Sequence, residues 1–177
     1  MKKVMMRDFR WQGKPEIWKK DFKEVSLAVS GKTELPSCPL LLAVSDEDFS
    51  CRFLLEIAPV GGESGICVYH SDLSYAAVGL STDTLTIHTS IRGYETSSHI
   101  PFSSTSTQIL WQLDRIGENV SISYAQDMQD PCFSLVTKTS LPGMQQAISF
   151  GVYFANENKD SYESQVHSIR YTKTEVQ

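Results

Sequence analysis

The sequence predicts an all-β protein, an antiparallel β-sandwich or jelly roll, on three observations. Phe49, Cys51, Phe53, Leu55 and Ile57 fall at every second position of DFSCRFLLEIAP, the period of a strand with one buried face. The Gly-rich turn VGGESG follows, then two apolar runs, ICVY and YAAVGL, around the polar tip His70-Ser71-Asp72: a β-meander. Similar short apolar runs and polar turns then recur to the end of the chain, while helix signals stay weak.

The elements follow in order. FRWQGKPEIW carries three large aromatics and a proline and reads as an irregular arm, residues 1–20, whose rings tuck against the sandwich. The nearest thing to a helix there is one turn near Pro15–Lys20. Val25, Leu27 and Val29 alternate in a strand that Gly31 ends. TELPSCPLLLAVSDED holds Pro36, Pro39 and an acidic tip, and reads as loop, because proline cannot donate to a central ladder.

Strands follow at 49–58, 65–70, 75–80 and 84–91. Arg92-Gly93-Tyr94 is a turn, and 96–102 is an edge strand closed by Pro101. ILWQLDR and VSISYAQD pair across Ile116-Gly117-Glu118-Asn119, a Gly-containing hairpin loop. Strands at 132–137, 147–155 and 165–172 complete the set, with one turn expected near Leu141–Gln146. No repeat or linker divides the 177 residues, so a single domain is expected over 1–177.

Composition narrows function by exclusion. Hydrophobic residues at 41% and charged residues at 21% are those of an ordinary globule. The net charge of -5 argues against a nucleic-acid partner, which needs a basic surface. Val4-Met5-Met6 is too short for a signal-peptide core, and no apolar run is long enough for a membrane span. Cys38, Cys51, Cys67 and Cys132 form no CxxC pair, and Cys51 and Cys67 fall inside strands, where a free thiol acts as a small hydrophobe. A cytoplasmic protein with no membrane partner is expected.

At this point the motifs resemble a known family. DFSCRFLLEIAP…SGICVYHSDLSYAAVGL resembles the strand pattern of concanavalin A-like domains, WQLDRIGENVSISYAQD their hairpin, and ISFGVYFAN their penultimate strand. FRWQGKPEIW is similar to the opening of the DUF1349 family, a concanavalin A-like group of unknown function. The same motifs occur in the C-terminal domain of family 43 glycosidases. The resemblance implies a concanavalin A-like jelly roll. The chain departs from it where the family carries Lys and Glu, here Ala77 and Ser81, and where the hairpin carries Arg, here Gln112.

No catalytic pattern stands out. The Glu-x-Asp-x-x-Glu run of jelly-roll glucanases is missing: Glu56 stands alone on its strand. Gln165-Val166-His167 resembles a Gln-x-His motif of jelly-roll alginate lyases, but the Tyr-x-Lys-x-Gly strand that accompanies it there has no counterpart. No Gly-x-Ser-x-Gly elbow occurs. His70, His88, His99 and His167 are scattered one to a segment, and Asp46-Glu47-Asp48 lacks calcium-loop spacing, so no metal and no cofactor is expected.

Alternation supplies the candidate ligand-binding residues. If Phe53, Leu55 and Ile57 face the core, Arg52 and Glu56 face outward, and so do Tyr69, His88, Gln112 and Tyr153. On one concave surface, aromatic rings and polar groups of this kind would stack on and orient a sugar. Non-catalytic carbohydrate or glycoconjugate binding is therefore the leading expectation. A protein-interaction scaffold is the alternative, with a partner protein in place of the sugar. A glycan-active hydrolase or lyase acting through Glu56 and His167 is the third.

Overall fold

The computed structural model describes residues 4–104, 106–141 and 146–174. They form fourteen strands and a single 3-10 turn, Met6–Asp8. The strands are β1 (Arg10–Gln12), β2 (Ile17–Lys20), β3 (Val25–Val29), β4 (Leu40–Ser45), β5 (Phe49–Glu56), β6 (Gly62–Ser71) and β7 (Ser74–Leu80). They continue with β8 (Thr84–Ile91), β9 (Tyr94–Pro101), β10 (Gln108–Ile116), β11 (Asn119–Ala125), β12 (Ser134–Ser140), β13 (Ile148–Asn156) and β14 (Tyr162–Lys173).

Two seven-stranded sheets pack face to face. The first runs β1-β4-β13-β6-β7-β8-β9 and the second β12-β11-β10-β5-β14-β3-β2. Every named pair is antiparallel. The predicted all-β sandwich is the observed fold. Inward residues alternate with outward ones on β5 and β10, and Phe49, Phe53, Trp111, Phe150 and Phe154 fill the space between the sheets. The tight turn from β8 to β9 uses Arg92 and Gly93, both at positive φ (51° and 85°). That geometry matches the twist of a two-residue hairpin.

Three expectations are corrected. The segment read as loop around Pro36 and Pro39 contains β4, which lies between β1 and β13. Both prolines precede the strand. The carbonyl of Pro39 accepts from the Phe154 amide at 3.1 Å, so no ladder donor is lost. The aromatic arm is two edge strands, one on each sheet: β1 pairs with β4 and β2 with β3. Trp11 meets Trp18 edge-on at 6.1 Å and joins those edges. The helical turn expected near Pro15–Lys20 is β2. The turn expected near Leu141–Gln146 lies mostly outside the described residues.

A second, smaller apolar cluster sits on the outer face of the first sheet. Cys38, Leu40, Cys67, Ala77 and Tyr153 form it, with Leu35, Leu42, Tyr69 and Ala155 against them. It explains why every residue of β7 is buried: one side of that strand meets the core and the other meets this cluster or its neighbours.

The cysteines sample both environments. All four are free; Cys38, Cys51 and Cys67 are buried and Cys132 is exposed. Burial pushes the three buried thiols up, that of Cys67 to about 12. Since the thiolate is the reactive form, only Cys132 should react quickly with a thiol reagent in the native protein. The remaining three should appear on denaturation without reductant. Rapid native reaction of Cys38 would show instead that residues 33–39 lift off the sheet.

Candidate functional site

The six outward candidates do not share a surface. Tyr69, His88 and Tyr153 stand on β6, β8 and β13 of the first sheet, whereas Arg52, Glu56 and Gln112 stand on β5 and β10 of the second. Alternation gives the side of a strand but not the sheet that carries it, so one expected site resolves into two clusters on opposite outer faces.

On the first sheet, cross-strand register sets Tyr153, Gly65, Gly79, Thr86 and His99 in one row. Cys67, Ala77, His88 and Ser97 form the next. Gly79 is required by the first row: a Cβ there would lie 2.2 Å from the Tyr153 hydroxyl oxygen and 2.7 Å from Glu63 Cγ. The glycine lets the tyrosine side chain approach the neighbouring strands closely.

Tyr153 faces outward as alternation requires, yet it is 0% exposed. Leu35 and Cys38, carried on the segment before β4, belong to the cluster that covers it. It therefore offers no stacking platform to a sugar. Tyr69 is half-buried and donates to the Asp72 carboxylate. The aromatic part of the expected surface is thus taken up by the protein itself.

Beside the covered patch lies an open cleft of about 510 Å³ that mixes apolar surface with carboxylate, hydroxyl, amide and imidazole groups. Glu63, at the start of β6, organises it. Its Oε2 accepts from the Tyr153 hydroxyl at 2.5 Å and from His88 Nε2 at 2.8 Å. The other ring nitrogen of His88, Nδ1, lies 3.0 Å from Ser97 Oγ. Burial, followed by the charge of Glu63, pushes the Tyr153 hydroxyl well above its ordinary value, so it stays a donor.

Further along the cleft, Thr86 Oγ1 and His99 Nδ1 are 3.2 Å apart, and Asp83 accepts from the hydroxyls of Ser81 and Thr84. Asn156 and Asn158 close the far wall; the Asn158 amide donates to the Val60 carbonyl at 2.9 Å. The lining includes the carboxylates Glu34, Glu63, Asp83 and Glu157 and, among the described residues, contains no Lys or Arg. Such a site repels anions and offers acceptors to hydroxyl or ammonium donors.

His88 and Tyr153 are the two candidates that meet here, both on Glu63. Glu63 was not legible as part of a site, because it sits in VGGESG, which reads as a turn. His88 and His99, expected to be scattered, line the same cleft from neighbouring strands. Ser81, where the resembling family carries a charged residue, also lines the cleft, and Ala77 lies beneath the covered patch.

On the second sheet, Arg52 Nε donates to Gln112 Oε1 at 3.0 Å, and Gln112 Nε2 donates to Asp114 Oδ2 at 2.9 Å. Glu56 Oε1 lies 2.6 Å from His167 Nε2. Glu56 and His167, expected to act together only in an enzyme, are in contact through a bulge in β14 at His167. The acidic tip is engaged in structural bonds: Glu47 pairs with Lys173 at 2.8 Å, and Asp48 accepts from the Gly117 amide. No group of three or more metal-ligating side chains occurs among the described residues. No helix among them is long and apolar enough to cross a membrane.

The strands define a jelly-roll β-sandwich of two antiparallel seven-stranded sheets. Comparisons with known proteins agree at that level. A functionally unknown protein from Saccharomyces cerevisiae superposes with a TM-score of 0.84 at 14% identity, over 98% of this chain and 100% of that one. A mutant of the GH43 protein BlXynB from Bacillus licheniformis gives 0.73 at 12% identity, over 98% of this chain and 38% of that one. The xylan beta-1,4-xylosidase from Bacillus halodurans gives 0.70 at 13% identity, over 85% of this chain and 33% of that one. This chain thus spans the whole yeast chain but only 38% and 33% of the two Bacillus chains. At these identities the likeness is one of fold. No protein-family model and no curated protein matches the sequence.

Proposed function

We propose that the chain is a non-catalytic carbohydrate-binding β-sandwich, and that the cleft over β6–β9 is where the sugar binds. One observation carries this reading. Glu63 is fixed through Oε2 by Tyr153 and His88, while its Oε1 accepts no hydrogen bond from a described residue and is not buried. A carboxylate held in place, with one oxygen left for a ligand, suits the vicinal hydroxyls of a sugar ring. Thr86, His99 and Asp83 supply further partners at the spacing of neighbouring strands. The carboxylates of the lining disfavour an anionic ligand and suit a hydroxyl-rich one. Occurrence of the same fold within a xylan beta-1,4-xylosidase makes neutral xylo-oligosaccharides the first probes.

The test is an NMR titration with a panel of neutral oligosaccharides, xylo-oligosaccharides first. Binding should shift the signals of His88 and His99. Glu63→Gln should weaken it about tenfold or more, as expected for loss of a charge-assisted hydrogen bond, while the melting temperature stays near that of the parent. Failure to bind any member of the panel, together with a stoichiometric protein partner, would favour the scaffold reading. Release of reducing sugar would favour an enzyme.

A further inference from the structure

The outer face of the second sheet carries an unusual juxtaposition. Arg52 on β5 and Arg170 on β14 are direct cross-strand partners, both exposed. Like charges directly opposite one another destabilise a sheet. Neither guanidinium has a carboxylate within ion-pair distance among the described residues.

Arg52 is also held in a defined orientation. Its Nε donates to Gln112, which is itself anchored by Asp114. One face of the guanidinium lies over the Phe133 ring, with Cζ 4.8 Å from the ring centroid. With Nε engaged and one face covered, the edge formed by Nη1 and Nη2 has no partner among the described residues. That edge is the fork that takes an oxyanion through two parallel hydrogen bonds.

We propose that Arg52 and Arg170 form a binding site for an oxyanion group, a carboxylate or phosphate borne by a small ligand. Gln112 and Phe133 are its positioning residues, and the ring edge of Phe133 supplies apolar contact to the ligand's body. Two unpaired cations opposite each other are relieved when an anion bridges them. The site is on the opposite sheet from the Glu63 cleft and has the opposite charge preference, so it stands independently of the carbohydrate reading.

The experiment is a titration of the full chain with glucuronate, glucose 6-phosphate and glucose at low salt, followed by calorimetry and by the amide signals of Gln112 and Phe133. Glucuronate or glucose 6-phosphate should bind, glucose should not move these signals, and added salt should weaken binding. Preference between the two anions tells carboxylate from phosphate. Arg52→Lys keeps the charge but loses the fork, and should weaken binding about tenfold; Arg170→Ala should do at least as much. Both positions are exposed, so melting temperatures should stay close to the parent's. Glu63→Gln should leave anion binding unchanged. The proposal is overturned if neither anion binds at millimolar concentration, if glucose moves the same signals equally, or if both arginine variants bind like the parent.

Discussion

Trp111→Ala should remove roughly 3–5 kcal/mol of stability, the cost of truncating a large buried aromatic. Its side chain is 0% exposed. By register it sits between Phe53 on β5 and Tyr124 on β11, and it meets the Tyr124 ring edge-on at 6.1 Å. The neighbours belong to hydrogen-bonded strands of a central ladder, which cannot close in on the void. Urea unfolding followed by fluorescence of the other two tryptophans measures the loss. Trp111→Phe provides the internal control. The indole Nε1 is buried without a partner among the described residues, so phenylalanine removes an unsatisfied donor while keeping most of the ring. It should cost less than half as much as alanine. An alanine variant within about 1 kcal/mol of the parent would show that the second sheet can collapse around this position, contrary to the packing.

The same residue shows how far the sequence carries. Ile109, Trp111 and Leu113 share a parity in ILWQLDR, and the structure puts all three in the core. Alternation works because β10 has one face against the other sheet and one toward solvent. It fails where both faces are covered. LLLAVS shows no alternation, since β4 meets the main core on one side and the Tyr153 cluster on the other, and the two prolines before it disguised its start. It fails also for Tyr153, whose outward direction was legible but whose cover was not. That cover comes from residues more than a hundred positions earlier in the chain. The site itself depends on long-range contacts: Glu63 on β6 reaches His88 on β8, across β7, and Tyr153 on the adjacent β13. Periodicity registers none of these distances, and so it assigned six residues to one surface that belong to two.

Arg115 extends the Trp111 parity to a residue type that does not belong in a core, and its replacement should be nearly as damaging. The side chain is only 2% exposed. It points inward at the end of β10, opposite Phe49 and Val120, both fully buried. The guanidinium is tolerated there because backbone carbonyls surround it. Nε donates to Gly117 at 3.1 Å, Nη1 to Ser45 at 3.1 Å and to Glu47 at 3.4 Å, and Nη2 to Gln146. Those carbonyls belong to the β10–β11 hairpin, the connection from β4 to β5, and the approach to β13. One planar group therefore ties three loops together at one end of the sandwich. Arg115→Met keeps the length and apolar stem but strands several carbonyls, each costing about 1–3 kcal/mol where water cannot reach. A loss of at least about 3 kcal/mol is expected. Arg115→Lys keeps the charge, but a single ammonium cannot span carbonyls arrayed around a planar fork, so its loss should fall between parent and methionine. Hydrogen exchange supplies the spatial readout: protection should fall first at the Gly117 hairpin and at the start of β5, while β6–β8 stay protected. Uniform loss of protection, or a methionine variant as stable as the parent, would mean that these loops are held by their own strands and that the arginine only fills space.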